Sequence, residues 1–342
     1  MKTVWYFTLG ISVLLILYFY GLTIGSQSLD ISVVFNYFWS SEKLMDFELL
    51  TMQELRIPRV TVALLAGGAL AVSGLQMQTL FRNPLAGPDV MGVNAGATLG
   101  VALAVMGASL FSTIFPSIND NLSSISYHSL TLATAGSLGS LFVLLLLFTV
   151  SWRLTDSVTL LILGLLFSYI ISAIVSVLQF FSHPSFLKVF VVWTMGSTSG
   201  ITSGQMPYLF ISILLGLILS IVTIPAMNIM LLGDMYARTL GVNVKRTRVL
   251  VVLSTTLLSG TVTAFCGPIS FLAIAVPHMC RLLLKTSQHQ ILLPATFLLG
   301  SLLLVISDIV TSSITSFSLP ITTFTSLLGI PMLIWIIIKG RK

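Results

Sequence analysis

Apolar residues fill this chain in long unbroken runs, and polar residues gather in short clusters between them. The runs predict ten helices, at 3–24, 58–79, 90–110, 128–150, 158–181, 206–227, 247–266, 268–285, 292–311 and 320–338. Most of the runs are close to the roughly 20 apolar residues that a helix needs to cross a bilayer. A membrane barrel would show short alternating segments instead. Between the fifth and sixth runs, 182–205 holds Pro184, Lys188 and a semi-apolar piece from Val189 to Gly196 that is too short to span. That stretch predicts a short helix lying at the surface or dipping in. No linker or composition break divides the pattern, so the chain reads as one all-α transmembrane domain over 1–342.

Composition makes the bilayer the solvent. Of 342 residues, 56% are hydrophobic and only 8% charged, with mean hydropathy +1.05; a soluble domain carries about 25% charged residues. The first run, Val4 to Leu22, follows a single Lys2, is long for a signal peptide and shows no small-residue cleavage site, which makes it the first span. The net charge of +6 points to membrane orientation rather than to nucleic acid. With the N-terminus in the cytoplasm, Lys2, Arg82, Arg153, Arg238, Lys245, Arg246, Arg248, Arg281, Lys285, Lys339, Arg341 and Lys342 fall inside, and only Lys43, Arg56, Arg59 and Lys188 fall outside. This is the positive-inside bias, and ten spans return the C-terminus to the cytoplasm. The longest outer loop, 25–57, carries Asp30, Glu42, Asp46, Glu48 and Glu54.

The exceptions to that bias stand out. Arg56 and Arg59 flank Pro58 at the outer mouth of the second span. Either they anchor in headgroups by snorkelling, or they form a positive patch for an acidic partner, since a guanidinium makes two-pronged bonds to carboxylates. Gly67, Ala71 and Gly74, and then Gly92, Gly96 and Gly100, recur at helical spacing and predict close helix packing. Arg82-Asn83-Pro84 opens a cytoplasmic turn in which Asp89 is placed to cap the third span. The longest inner loop, 228–246, predicts a short helix from Asp234 to Leu240 stopped by Gly241, a shape suited to docking a soluble partner. Asp308 is the carboxylate deepest in a predicted span and reads as a hydrogen-bonded structural group or, as the alternative, an ion or proton site. Cys266 and Cys280 read as core thiols. No clustered metal ligands, no phosphate-binding glycine loop and no nucleophile–base arrangement are visible. A faint echo between Arg59 with Ser73-Gly74 and Arg248 with Ser259-Gly260 hints at an inverted repeat.

Taken together, these residues resemble the permease family of iron-siderophore, haem and cobalamin ABC importers, over essentially the whole chain. The blocks that carry the resemblance are Arg56-Ile57-Pro58-Arg59, Asn83-Pro84-Leu85-Ala86 with Pro88, Gly92 to Ala97, Trp193-Thr194-Met195-Gly196, Ala237 to Gly241, Gly267-Pro268-Ile269-Ser270-Phe271, Pro277 to Arg281, Ser307-Asp308 and Leu319-Pro320. The resemblance implies a type II ABC importer permease architecture. It implies a homodimer with two ATP-binding subunits below, an extracytoplasmic substrate-binding protein above, and no cofactor or catalysis of its own. It further implies that Ala237, Arg238, Thr239, Leu240, Gly241 and Val242 couple to the ATPase. It also implies that Arg56, with Arg59, docks the binding protein, that Asp156 and Ser157 belong to a cytoplasmic gate, and that the fifth and tenth spans line the path. The chain departs from the pattern at Ser312, where a second docking arginine is usual, at Ala273, where glycine is usual, and mildly at Ser307. Among cargoes an iron siderophore ranks first, with cobalamin or haem as alternatives. Outside the family, the rival readings are an ion-coupled secondary transporter and an intramembrane enzyme.

Overall fold

A computed structural model describes residues 2–25, 27–40, 45–107, 129–151, 157–314 and 319–339, and the regular structure among these is helical throughout. The first half holds α1 (Lys2–Thr23), α2 (Ile31–Trp39), α3 (Asp46–Leu50), α4 (Ile57–Leu80), α5 (Val93–Ala102), α6 (Ser129–Ser151), α7 (Ser157–Phe181) and α8 (Pro184–Thr194). The second half holds α9 (Met206–Met230), α10 (Asp234–Thr239), α11 (Val244–Thr255), α12 (Thr261–Cys266), α13 (Leu272–Leu284), α14 (His289–Ile314) and α15 (Ile321–Lys339). Every predicted span falls on a helix, and α8 is the short helix expected within 182–205. Among the described residues, seven helical stretches are long and apolar enough to cross a membrane; Val93–Gly107, Pro184–Thr194, Leu272–Leu284 and Ile321–Pro331 are shorter apolar helices.

The second span begins earlier than its proline suggests. The helix starts at Asp46 and runs through to Leu80. Pro58 has no N–H to offer the carbonyl one turn back. Directly upstream, Thr51–Arg56 widens into a π turn in which the Ile57 N–H reaches Met52 O, and the chain passes Pro58 without a break. A second π turn, Thr256–Gly260, joins α11 to α12 into one span.

α4 is the central pillar. From Ala66 to Leu80 every residue is buried, enclosed by α9, α11, α13 and α14. Lipid supplies no hydrophobic drive between helices, so contact depends on how closely backbones approach. A Cβ on Gly67 would lie 2.3 Å from Gly300 O in α14, and one on Gly300 would lie 2.4 Å from Gly67 O. A Cβ on Gly74 would lie 1.7 Å from Ala273 O. The bare Gly74 thus leaves room for α13 although Ala273 replaces the usual glycine. Gly96 and Gly100 do the same for α5 against α6, where added Cβ atoms would meet Gly139 O at 2.5 Å and Ala135 O at 2.0 Å.

The predicted stripe on the third span is one residue shorter than expected. Gly92 stands outside the helix, in the left-handed conformation that starts it. Asp89 does not cap α5 either. It sits in a 3-10 turn, Pro88–Met91, and accepts from the side-chain amide of Asn94. The other Asn94 atom, Oδ1, accepts from Ser259 Oγ at 3.1 Å and Thr263 Oγ1 at 2.8 Å, so one asparagine ties this turn to the fold around the second π turn.

Arg56 and Arg59 fasten α1 to the pillar. Arg59 Nη2 donates to Gly21 O and Ile24 O at 2.8 Å each. Its Nε lies 3.2 Å from Asp308 Oδ2 of α14, and Thr198 Oγ1 donates to Asp308 Oδ1 at 2.6 Å. Arg56 donates to the carbonyls of Ile24 and Gln27. Gly25 makes the space: a Cβ there would fall 1.2 Å from Arg56 Nη1. Carbonyls at a helix end have no helical partner, and inside a bilayer each unmet one costs several kcal/mol. The guanidiniums meet that demand, and Asp308 neutralises one of them.

Two outcomes follow from this packing. Gly67→Val drives a branched side chain into the Gly300 carbonyl and lowers stability by about 3 kcal/mol, read as a fall in thermal unfolding temperature in detergent; Gly200→Val, with nothing within 4 Å, leaves that temperature unchanged. Asp308→Ala strands the Arg59 charge and costs about 3–5 kcal/mol. In the same melts the pair Arg59→Met with Asp308→Leu recovers only part of that loss, because the stranded charge is gone but Gly21 O has lost its donor.

Candidate functional site

At the opposite end of α4 from Arg59, the chain turns and meets the short helix α10. α4 closes with a paired cap: Arg82 N donates to Thr79 O at 3.3 Å and Asn83 N to Gln78 O at 3.1 Å. Asn83 then folds the turn on itself, its Oδ1 accepting from Leu85 N at 2.9 Å, while Pro84 stands exposed at the tip. α10 begins after Gly233, at φ +113°, and closes with the same paired cap, Gly241 N to Arg238 O at 3.0 Å and Val242 N to Ala237 O at 2.9 Å. Gly241 has φ +81°, the left-handed geometry that stops a helix, as its sequence position predicts.

A carboxylate joins the two turns. Asp234, the first residue of α10, receives Arg82 Nη2 on Oδ1 at 2.9 Å and Arg248 Nη2 of α11 on Oδ2 at 2.5 Å. The turn after the pillar, the short helix and the start of the next span therefore meet at one side chain. Behind it lies a polar seam. Arg281 Nη1 donates to Gln78 Oε1 at 2.5 Å, and Gln78 Nε2 donates to Ile274 O at 2.9 Å. Thr79 Oγ1 lies 2.8 Å from His289 Nε2, and His289 Nδ1 lies 2.7 Å from Asn228 Oδ1.

The faces of α10 differ sharply. Ala237 is completely buried, whereas Met235 is 84% exposed and Tyr236 63%. Leu232 and Leu240 extend the exposed apolar patch, and Arg238, Thr239, Lys245 and Arg246 border it. The exposed face of α10 is thus an apolar knob with basic residues close by in the chain, held to the protein by the buried Ala237.

The other sequence-derived positions divide. Arg56 and Arg59 do not present an open positive patch: both are buried, 5% and 6% exposed, with their donors turned on carbonyls and Asp308. Ser312, in the place of the usual arginine, is buried as well. Asp156 lies outside the described residues, and Ser157 opens α7. Cys266 and Cys280 are buried free thiols. Among the described residues no three His, Cys, Asp or Glu side chains are grouped to hold a metal. Asp234 and the pairing of Asp308 with Arg59 were not singled out as site features from sequence. Their one signal was scarcity, ten acidic residues in the whole chain, which makes each buried carboxylate a question of which cation it meets.

Comparison with known proteins bears on the whole chain. Residues 13–339 match the FecCD transport family. An iron chelatin transport system permease protein of Helicobacter pylori is 31% identical over 90% of this chain and 87% of its own length. A hemin transport system permease protein of Yersinia pestis is 33% identical over 84% and 83%, and a vitamin B12 import system permease protein of Serratia proteamaculans is 34% identical over 89% and 85%. A solved structure described as an inward-facing conformation of a metal-chelate type ABC transporter superposes with a TM-score of 0.81 at 28% identity, covering 96% of this chain and 97% of that one. The chain belongs to the FecCD transport family and is a permease of the metal-chelate, haem and vitamin B12 type of ABC importer.

Proposed function

We propose that this permease carries an iron siderophore across the cytoplasmic membrane, as one half of a homodimer driven by two ATP-binding subunits and fed by an extracytoplasmic binding protein. The family implies the ATP-binding subunits and the binding protein. The observation that carries the mechanical part is α10, an exposed apolar helix tied by Asp234 to both the central pillar and the following span. In this reading the whole chain acts as one transmembrane domain, and its Arg82 end faces the cytoplasm with both termini. Ala237 to Val242 take the motor's movement, and Asp156 with Ser157 gate the inner mouth. The positive-inside bias of the sequence supports that orientation.

On the outer side, Arg56 and Arg59 serve docking indirectly. They hold the carbonyls of Gly21, Ile24 and Gln27 in place, and the binding protein reads the surface so formed.

The cargo assignment rests on the helices expected to line the path. α7 has no charged residue and α15 none before Lys339, while α7 exposes Tyr169, Ser172 and Ser176. A wall of hydroxyl and apolar groups accepts a bulky chelate whose ligands already neutralise the metal. It offers no cation to the two carboxylates of haem.

Motion transmitted through α10 must favour one access state over the other, because an interaction equal in both shifts nothing. The test is reconstitution with the ATP-binding subunits and the binding protein, comparing ATP-dependent uptake of ferric siderophore, haem and cobalamin in parallel vesicles. Siderophore uptake is the expected result; a preference for either other cargo overturns the assignment. In the same vesicles Gly241→Pro lowers uptake about tenfold or more. Proline is fixed near φ of about −65° and removes the N–H that bonds Arg238 O. Undiminished uptake by that variant would show that α10 carries no motion.

A further inference from the structure

Two helices at this end of the bundle close with the same pair of backbone bonds but different residues at the left-handed position. α10 uses Gly241, which adopts φ +81° freely. α4 uses Arg82, at φ +47°, a conformation that places an L residue's Cβ against the following carbonyl. Glycine would close α4 without that strain. A side chain kept at a strained position is a pointer to what the side chain does.

What it does is visible. Arg82 reaches from the end of the pillar to Asp234 Oδ1 at 2.9 Å. The two legs on Asp234 are unequal. The Arg248 side chain is 9% exposed and the Arg82 side chain 47%. An ion pair open to solvent is weak and easily broken, whereas parting a buried pair strands a charge. Arg248 also lies in the same segment as Asp234, 14 residues on, while Arg82 comes from 152 residues away. One leg is local and lasting; the other crosses between elements and is easily released.

We infer that Asp234 is a positioning residue for energy coupling: Arg248 fixes α10 to α11, and the Arg82–Asp234 pair is a releasable strut that locks α10 to the central pillar in one access state and lets go in the other. The inference rests on the importer reading above and adds the joint through which movement of α10 reaches α4. A static brace would bury both legs. The strained arginine and the exposed leg together describe a contact made to be remade.

The experiment uses the full reconstituted importer and measures ferric siderophore moved per ATP hydrolysed, alongside the thermal unfolding temperature of each variant. Arg82→Gly relieves the strained cap and removes the strut. The transport-to-hydrolysis ratio is expected to fall about fivefold or more, with an unfolding temperature equal to or above that of the unaltered protein. Asp234→Asn lowers the ratio too, and the double variant is no worse than Asp234→Asn, as for two residues acting through one contact. An unaltered ratio in Arg82→Gly overturns the inference. So does a fall in unfolding temperature that accompanies and matches the loss, which is the mark of a mere brace, and so does strict additivity in the double variant. Should Asp234→Asn fail to fold, Arg82→Gly decides alone. The unaltered importer runs in every series; if it moves no cargo with ATP, the importer reading fails, and that result is distinct from a failure of the strut.

Discussion

In a bilayer, a helix packed against another gains nothing from hiding apolar surface, because the lipid tails are as apolar as its partner. The architecture therefore depends on backbone meeting backbone along α4. Gly67 against Gly300 and Gly74 against the Ala273 carbonyl let α14 and α13 close on the pillar, and dispersion between tightly apposed atoms takes the place of the hydrophobic effect. The consequence is a pillar with little freedom. What can differ between states is then how the elements at its ends are joined to it.

Both ends are held by arginine, but in different ways. At one end Arg59 and Arg56 are enclosed, bonded to carbonyls, with Asp308 and Thr198 closing the group. Burial on this scale makes the junction permanent, since separating the charges inside the protein is costly. At the other end Arg82 remains half in solvent, where ions and water compete for its partner. One end of the pillar is thus enclosed and the other open to solvent, next to the exposed apolar face of Met235, Tyr236 and Leu240.

Much of this was legible in the chain. The spans were, because the bilayer sets their length and excludes charge. The stop at Gly241 was, because few residues other than glycine sit easily at that backbone angle. The start of the second span was not. Pro58 reads as a first-turn proline, and nothing local announces that a π turn upstream lets the helix run through it. The roles of Arg56 and Arg59 were readable only in part: their position outside the charge bias marked them as special, but the carbonyls and the carboxylate they face lie on α1, the turn after it and α14. Asp89 looked like a cap because of its place before a helix, while its actual partner, Asn94, is drawn aside to Ser259 and Thr263. Pairings between distant segments belong to the fold, and no local pattern encodes them.

The Arg59 contact with Gly21 has a consequence for biogenesis. As α1 leaves the ribosome, the carbonyls at its far end have no bonding partner, and the guanidinium that meets Gly21 O emerges 38 residues later. Until then those carbonyls fall to water and headgroups at the membrane face. The junction that joins the first two spans is therefore completed only after both have been made.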